Sequence, residues 1–166
     1  MMDNLPQRKQ LRLKDYDYSQ EGHYFVTICT QDRQNILCDV GDAAHGVPQI
    51  TQTGQMVLQY LQNIGTAYKN VILDCYIMMP NHIHCIIASQ NGLSPKESGS
   101  PWAATPTMTI PKIVNSFKTL TSKKYGQTLW QRGYHEHIIR NEHELQKIRQ
   151  YIINNPAKWQ EDQYFI

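Results

Sequence analysis

The stretch VILDCYIMMPNHIHCIIAS, residues 71–89, restricts the fold more than any other part of the chain. Two runs rich in apolar and β-branched residues, 71–79 and 82–89, flank Pro80 and Asn81, a pair that punctuates chains at turns. Apolar runs of this length around so short a connection predict a β-hairpin inside a hydrophobic sheet. Successive strand residues point to opposite faces, so His82 and His84 project from one side while Ile83 and Cys85 project from the other. Two imidazoles are thereby aimed the same way from an otherwise apolar strand.

The rest of the chain supplies partners for that hairpin. HYFVTICTQ, 23–31, reads as a first strand. Thr53 to Tyr68 places Met56, Val57, Tyr60, Leu61 and Ile64 at helical spacing. A second helix carries Ile110, Ile113, Val114, Phe117 and Leu120 on its packed face, shows Lys112 and Lys118 elsewhere, and ends at Gly126. TLWQRGYHEHIIR, 128–140, resumes strand character. Asn141 with Glu144 three residues on then opens a last helix whose stripe is Leu145, Ile148, Tyr151, Ile152 and Asn155, and which Pro156 should stop.

The order β-α-β-β-α-β followed by α matches the ferredoxin-like, split βαβ plan. It predicts an α+β fold: a four-stranded antiparallel sheet with helices on one face and a C-terminal helix bearing Tyr151. A single domain over 1–166 is expected, with a basic N-terminal arm over 1–20 and a flexible loop over 90–107, where prolines and glycines replace apolar periodicity.

No stretch reaches the roughly 18 apolar residues of a membrane span, and the N-terminus lacks the apolar core of a secretory signal, so a cytoplasmic protein is expected. Four scattered cysteines without a C-x-x-C pair fit reduced thiols in that compartment. The net charge of +2 does not diagnose a nucleic-acid partner. Its distribution is more telling: Arg8, Lys9, Arg12 and Lys14 form one basic patch, and Lys112, Lys118, Lys123 and Lys124 another. These either keep the surface solvated or meet phosphates.

His82 and His84 admit two readings. They are polar members of a half-exposed strand, or they share one divalent ion, which imidazoles on one face can hold when a third polar ligand joins them. Tyr151 and Asn155, four residues apart on one helical face, supply a candidate nucleophile and a candidate ligand. The same two positions also suit a packed tyrosine and a helix C-terminus before proline.

Taken together, MPNHIH, LWQRGYHEHIIRN and YIINNPAKW resemble the REP-associated tyrosine transposases, relatives of the single-tyrosine insertion-sequence transposases within the HUH endonucleases. The similarity runs from YDYSQEGHYFVTICTQDR to the C-terminus. It implies that His82 and His84 bind the metal, Mg²⁺ or Mn²⁺, and that Tyr151 is the nucleophile forming a 5′-phosphotyrosine. It implies that Asn155 stands where insertion-sequence relatives carry a ligating glutamine. Single-stranded DNA next to a hairpin is the implied partner, with monomer and homodimer both known among such relatives.

Candidate DNA contacts are Arg8, Lys9, Arg12, Lys14, Lys112, Lys118, Arg132 and Arg140. The second His-x-His, His135 and His137, is assigned a structural or DNA-positioning role in preference to a second metal site. Two alternatives stay open. One is a domesticated nucleic-acid-binding module without cleavage activity, although the aromatic strand of RNA-recognition domains is absent. The other is a metal-dependent nuclease that uses water in place of tyrosine.

Overall fold

The structure, a computed structural model, describes residues 16–40, 48–90 and 108–165. The basic arm residues Arg8, Lys9, Arg12 and Lys14 and nearly all of the 90–107 loop lie outside the described residues. In chain order, β1 is Gly22–Cys29, followed by a two-stranded ribbon of β2 (Cys38–Asp39) and β3 (Gln49–Ile50). Helices α1 (Gln52–Gln62) and α2 (Ile64–Ala67) lead into the hairpin of β4 (Val71–Met79) and β5 (His82–Ser89). Then come α3 (Ile110–Tyr125), β6 (His135–Ile139), α4 (Glu142–Asn154) and a 3₁₀ segment, Pro156–Glu161. Among the described residues no helix is long and apolar enough to cross a membrane.

The main sheet has the order β4-β5-β1-β6 with every neighbouring pair antiparallel. That is the split βαβ order, with β5 lodged between the two strands that α1 connects. Alternation then sorts the strands into two faces. Tyr24, Val26 and Ile28 of β1 and Ile83, Cys85 and Ile87 of β5 join the main core, which also takes Val57 and Leu61 of α1 and Ile113, Val114 and Phe117 of α3. Ile86 packs on the other side in a smaller cluster with Ile139, Leu145 and Ile152, flanked by Phe25 and Ile148. Thus α1 and α3 cover one face as expected, while α4 covers the opposite face, the one from which His82 and His84 project.

Local signals explain where the helices begin and end. Thr51 caps α1 by accepting from Gly54 N at 3.0 Å. Gly54 is obligatory there, since a Cβ would lie 2.0 Å from Leu37 O. Gly126, at φ 89°, closes α3 in the left-handed region that glycine adopts freely. Asn141 accepts from Glu144 N at 2.9 Å, the expected cap of α4.

Four expectations are corrected. The helix from Thr53 to Tyr68 breaks at Asn63 into α1 and α2. The strand over 128–140 shrinks to His135–Ile139, with only an isolated bridge between Thr30 and Trp130 upstream. The carbonyls of Gln131, Arg132 and Gly133 instead converge on Lys118 Nζ at 2.7, 3.0 and 3.0 Å. Lys118 is therefore turned inward, 9% exposed, and does not belong to the displayed basic patch. Leu120, expected on the packed face of α3, is 47% exposed, and Thr121 takes the buried position.

One irregularity bears on the site. The β4–β5 register shifts between Leu73 and Cys75, leaving Asp74 as an extra residue in a bulge. Asp74 receives a bidentate pair from Arg149 of α4, with Nε and Nη2 donating at 2.9 and 2.8 Å. The helix that carries Tyr151 is thus fastened to the sheet two residues before the tyrosine.

Candidate metal centre and tyrosine

His82 and His84 are 0% and 1% exposed, and their Nε2 atoms lie 3.0 Å apart. The network around them determines which nitrogens are available. Asn81 Nδ2 donates to Tyr164 O at 2.8 Å, which turns Asn81 Oδ1 toward His82 Nδ1 at 2.9 Å. An amide oxygen only accepts, so His82 carries its proton on Nδ1 and presents a bare lone pair on Nε2. His84 Nδ1 meets Thr27 Oγ1 at 2.8 Å. A hydroxyl both donates and accepts, so Thr27 supports either tautomer of His84.

Burial pushes both imidazoles down to about 3, with the nearby Arg33 charge adding for His82 and the neighbouring His82 for His84. Both rings are neutral at physiological pH, the state in which imidazole ligates metals. The 3.0 Å separation also matches two nitrogens held roughly 2.1 Å from one ion at right angles.

A third donor comes from a part of the chain with no expected role. One carboxylate oxygen of Asp162 and one ring nitrogen from each of His82 and His84 all lie within 4.8 Å of one another, a cluster able to hold a metal ion. Asn155 is buried at 4% exposure, and its Oδ1 has no hydrogen-bond partner. An orphaned buried acceptor beside such a donor set fits a cation better than a closed apolar core does. The residues present therefore suit a divalent ion, with neutral imidazoles and oxygen donors as its ligands.

Tyr151 stands against this group. Its hydroxyl lies 3.3 Å from His84 Nε2, and its ring makes an edge contact with Phe25, which in turn stacks on His84. Tyr151 is nevertheless 44% exposed. Desolvation raises its pKa above the ordinary tyrosine value, the Asp162 charge adds to the rise, and the Asn155 amide opposes it. A groove of about 560 Å³ opens beside the phenol, with Lys147, Gln150, Asn154 and Lys158 in its wall.

The chain residues matched by the model for "Transposase IS200 like" proteins are 18–155, most of its length. The chain belongs to the IS200-like transposase family. Among its relatives, an uncharacterized protein of Haemophilus influenzae is 35% identical over 96% of this transposase chain and 93% of its own length. A second protein of that organism, provisionally named a REP-associated tyrosine transposase, is 25% identical over 86% of this chain and 74% of its own. The solved structure of a REP-associated tyrosine transposase bound to a REP hairpin shares the fold with a TM-score of 0.60, at 19% identity, covering 89% of this chain and 74% of that one. The resemblance read from MPNHIH and YIINNPAKW is thus borne out.

The site of this transposase brings together His82, His84, Tyr151 and Asn155 and leaves other expected residues apart. Lys112 lies on α3, across the sheet from the tyrosine. Arg132 is exposed near the histidine end of β1, since Gln131 N donates to Cys29 O. Arg140 is exposed toward the opposite end, just after the Ile139–His23 pair. Sequence reasoning missed Thr27, Asn81, Lys147, Lys158 and Asp162. Asn81 sat inside the motif itself, and Lys147 lies one turn before Tyr151 on the same helix, so both carried a usable signal.

Proposed function

We propose that the chain is a metal-dependent single-stranded DNA endonuclease and strand transferase that acts beside hairpin-forming DNA through a 5′-phosphotyrosine. The observation that carries this reading is the 3.3 Å contact of the Tyr151 hydroxyl with His84 Nε2, which sets a phenol against a pair of neutral buried imidazoles. His82 and His84, with Asn155 Oδ1, would hold Mg²⁺ or Mn²⁺. Such an ion, when bound, draws charge from the scissile phosphate.

Tyr151 Oη attacks the phosphorus and loses its proton, the P–O3′ bond breaks, and the departing 3′ oxygen takes up a proton. The new P–O bond to tyrosine conserves the phosphodiester energy, so the 3′-hydroxyl of a strand can later attack the same phosphorus and regenerate Tyr151. No nucleotide cofactor is needed. Because the phenol is held protonated by burial and by Asp162, catalysis depends on positioning more than on a pre-formed phenolate. Lys147 and Lys158 in the groove wall and Arg132 nearby are the contacts for strand phosphates, with Lys112 and Arg140 as more distant ones and the basic arm, Arg8, Lys9, Arg12 and Lys14, as a further candidate.

The test is Tyr151→Phe assayed on denaturing gels with hairpin-bearing oligonucleotides and Mn²⁺. The substitution keeps the ring and its contacts with Phe25 and removes only the hydroxyl. Cleavage and the covalent adduct should both vanish while DNA binding and the melting temperature stay near wild type. Continued cutting without an adduct would replace this reading with a water-using nuclease.

A further inference from the structure

The family match ends at residue 155, yet the chain that follows lies directly over the histidines. Trp159 is buried, its ring 5.9 Å from that of His82. The Tyr164 ring sits 4.6 Å from His82 and 6.0 Å from His84. Asn81 holds this strap through Tyr164 O with one end of its amide and holds His82 with the other. Arg33 lies 5.5 Å from the Tyr164 ring centre and braces the strap from the loop after β1. Between these two fixed points falls Asp162. Its Oδ1 accepts from Tyr164 N at 2.7 Å, and among the described residues no ion pair neutralises its charge.

We propose that Asp162 is the one charged ligand of the metal centre, joining His82, His84 and Asn155, so that loading the ion latches the C-terminal strap, residues 156–165, onto the sheet. This rests on the reading of His82 and His84 as ligands and extends it to a residue outside the family match. The chemistry favours it. Two imidazoles and an asparagine amide bring no charge to a divalent ion, whereas hard cations such as Mg²⁺ and Mn²⁺ are held chiefly by carboxylate oxygens. The carboxylate directly follows the short 3₁₀ segment Pro156–Glu161, which has no strand pairing of its own, so the ion links that segment to the strand core. Strap order and metal occupancy then become one equilibrium.

The experiment uses the full chain with Mn²⁺ as probe, titrated calorimetrically, and hydrogen exchange of the strap amides with and without the ion. Wild type should bind Mn²⁺ and slow exchange across residues 159–165. Asp162→Asn preserves size and the acceptor for Tyr164 N, and its fold is checked by melting. It should weaken Mn²⁺ binding at least ~10-fold and abolish the added protection. His82→Ala is the control for the underlying site and should lose Mn²⁺ binding. If His82→Ala loses binding while Asp162→Asn keeps wild-type affinity and protection, the latch is wrong and the histidine site stands. If wild type and His82→Ala bind alike, the histidine site fails and the latch with it.

Discussion

His82 and His84 on β5 and His135 and His137 on β6 repeat one pattern, two imidazoles flanking a single residue on a strand of the same sheet. They even share a face: Thr27 pairs with both His84 and His135, and Phe25 pairs with His137 while its ring stacks on His84. The outcomes differ because the strands differ. β5 is central and covered by α4 and the strap, whereas β6 is an edge strand whose two histidines are exposed. His137 is bound by Glu144 at 2.7 Å, a surface pairing at the start of α4. His-x-His is thus suited to ligate a metal only where burial keeps the rings neutral and neighbours hold their orientation.

The largest effect that would sharpen this contrast is on cleavage. His84→Ala is expected to reduce nicking by more than ~100-fold, beyond the range seen for indirect partners of metal ligands, while His135→Ala changes it by only a few fold. Equal losses from the two substitutions, measured on one hairpin substrate, would erase the distinction. Next comes Thr27→Val, which keeps shape and removes the hydroxyl that supports His84. Mn²⁺ affinity should fall about 10-fold to 100-fold with little change in fold, and an unaltered titration would remove Thr27 from the site.

Stability against pH gives a smaller, graded difference. His82 and His84 sit near 3 when folded against 6.5 for a free imidazole. Above pH 6.5 both states leave them neutral and stability is unaffected. As pH falls from 6.5 toward 3, the unfolded chain takes up protons that the folded chain refuses, so stability declines. The slope is at most about 1.4 kcal/mol per pH unit for each histidine. Metal-free denaturation at pH 6.5 and 4.5 should show a drop that His84→Gln lessens, and a drop untouched by that change would discount the burial argument. Smallest of all, His137→Gln should leave both the melting temperature and Mn²⁺ affinity within error, since it loses only a surface pairing.

How legible the molecule was follows from where each contact lies in sequence. The β4–β5 hairpin, α3 and the capped start of α4 were readable because their signals are local: alternation, a repeat near 3.6, and Asn141 three residues before Glu144. Lys118 was misjudged because the repeat around Phe117 and Thr121 says nothing about three carbonyls arriving from residues 131–133, and those same bonds keep that stretch out of the sheet. Asp162 was invisible for a similar reason. Residues 156–165 have no periodicity, and their place is set by Asn81, far away in sequence. The histidine pair and Tyr151 could be singled out from motif and helical phase, but their mutual approach is a property of the folded sheet.

The bulge at Asp74 acts as an indexing pin for α4. A helix lying on a sheet can roll about its own axis at small cost, and each residue advances by about 100°, so a modest roll would swing a side chain off its target. Arg149 carries a planar fork that grips both Asp74 oxygens and tolerates little rotation. The extra residue in β4 therefore sets the azimuth of α4, and the bearing of the Tyr151 hydroxyl is dictated by a kink in a strand that contributes no ligand and no nucleophile.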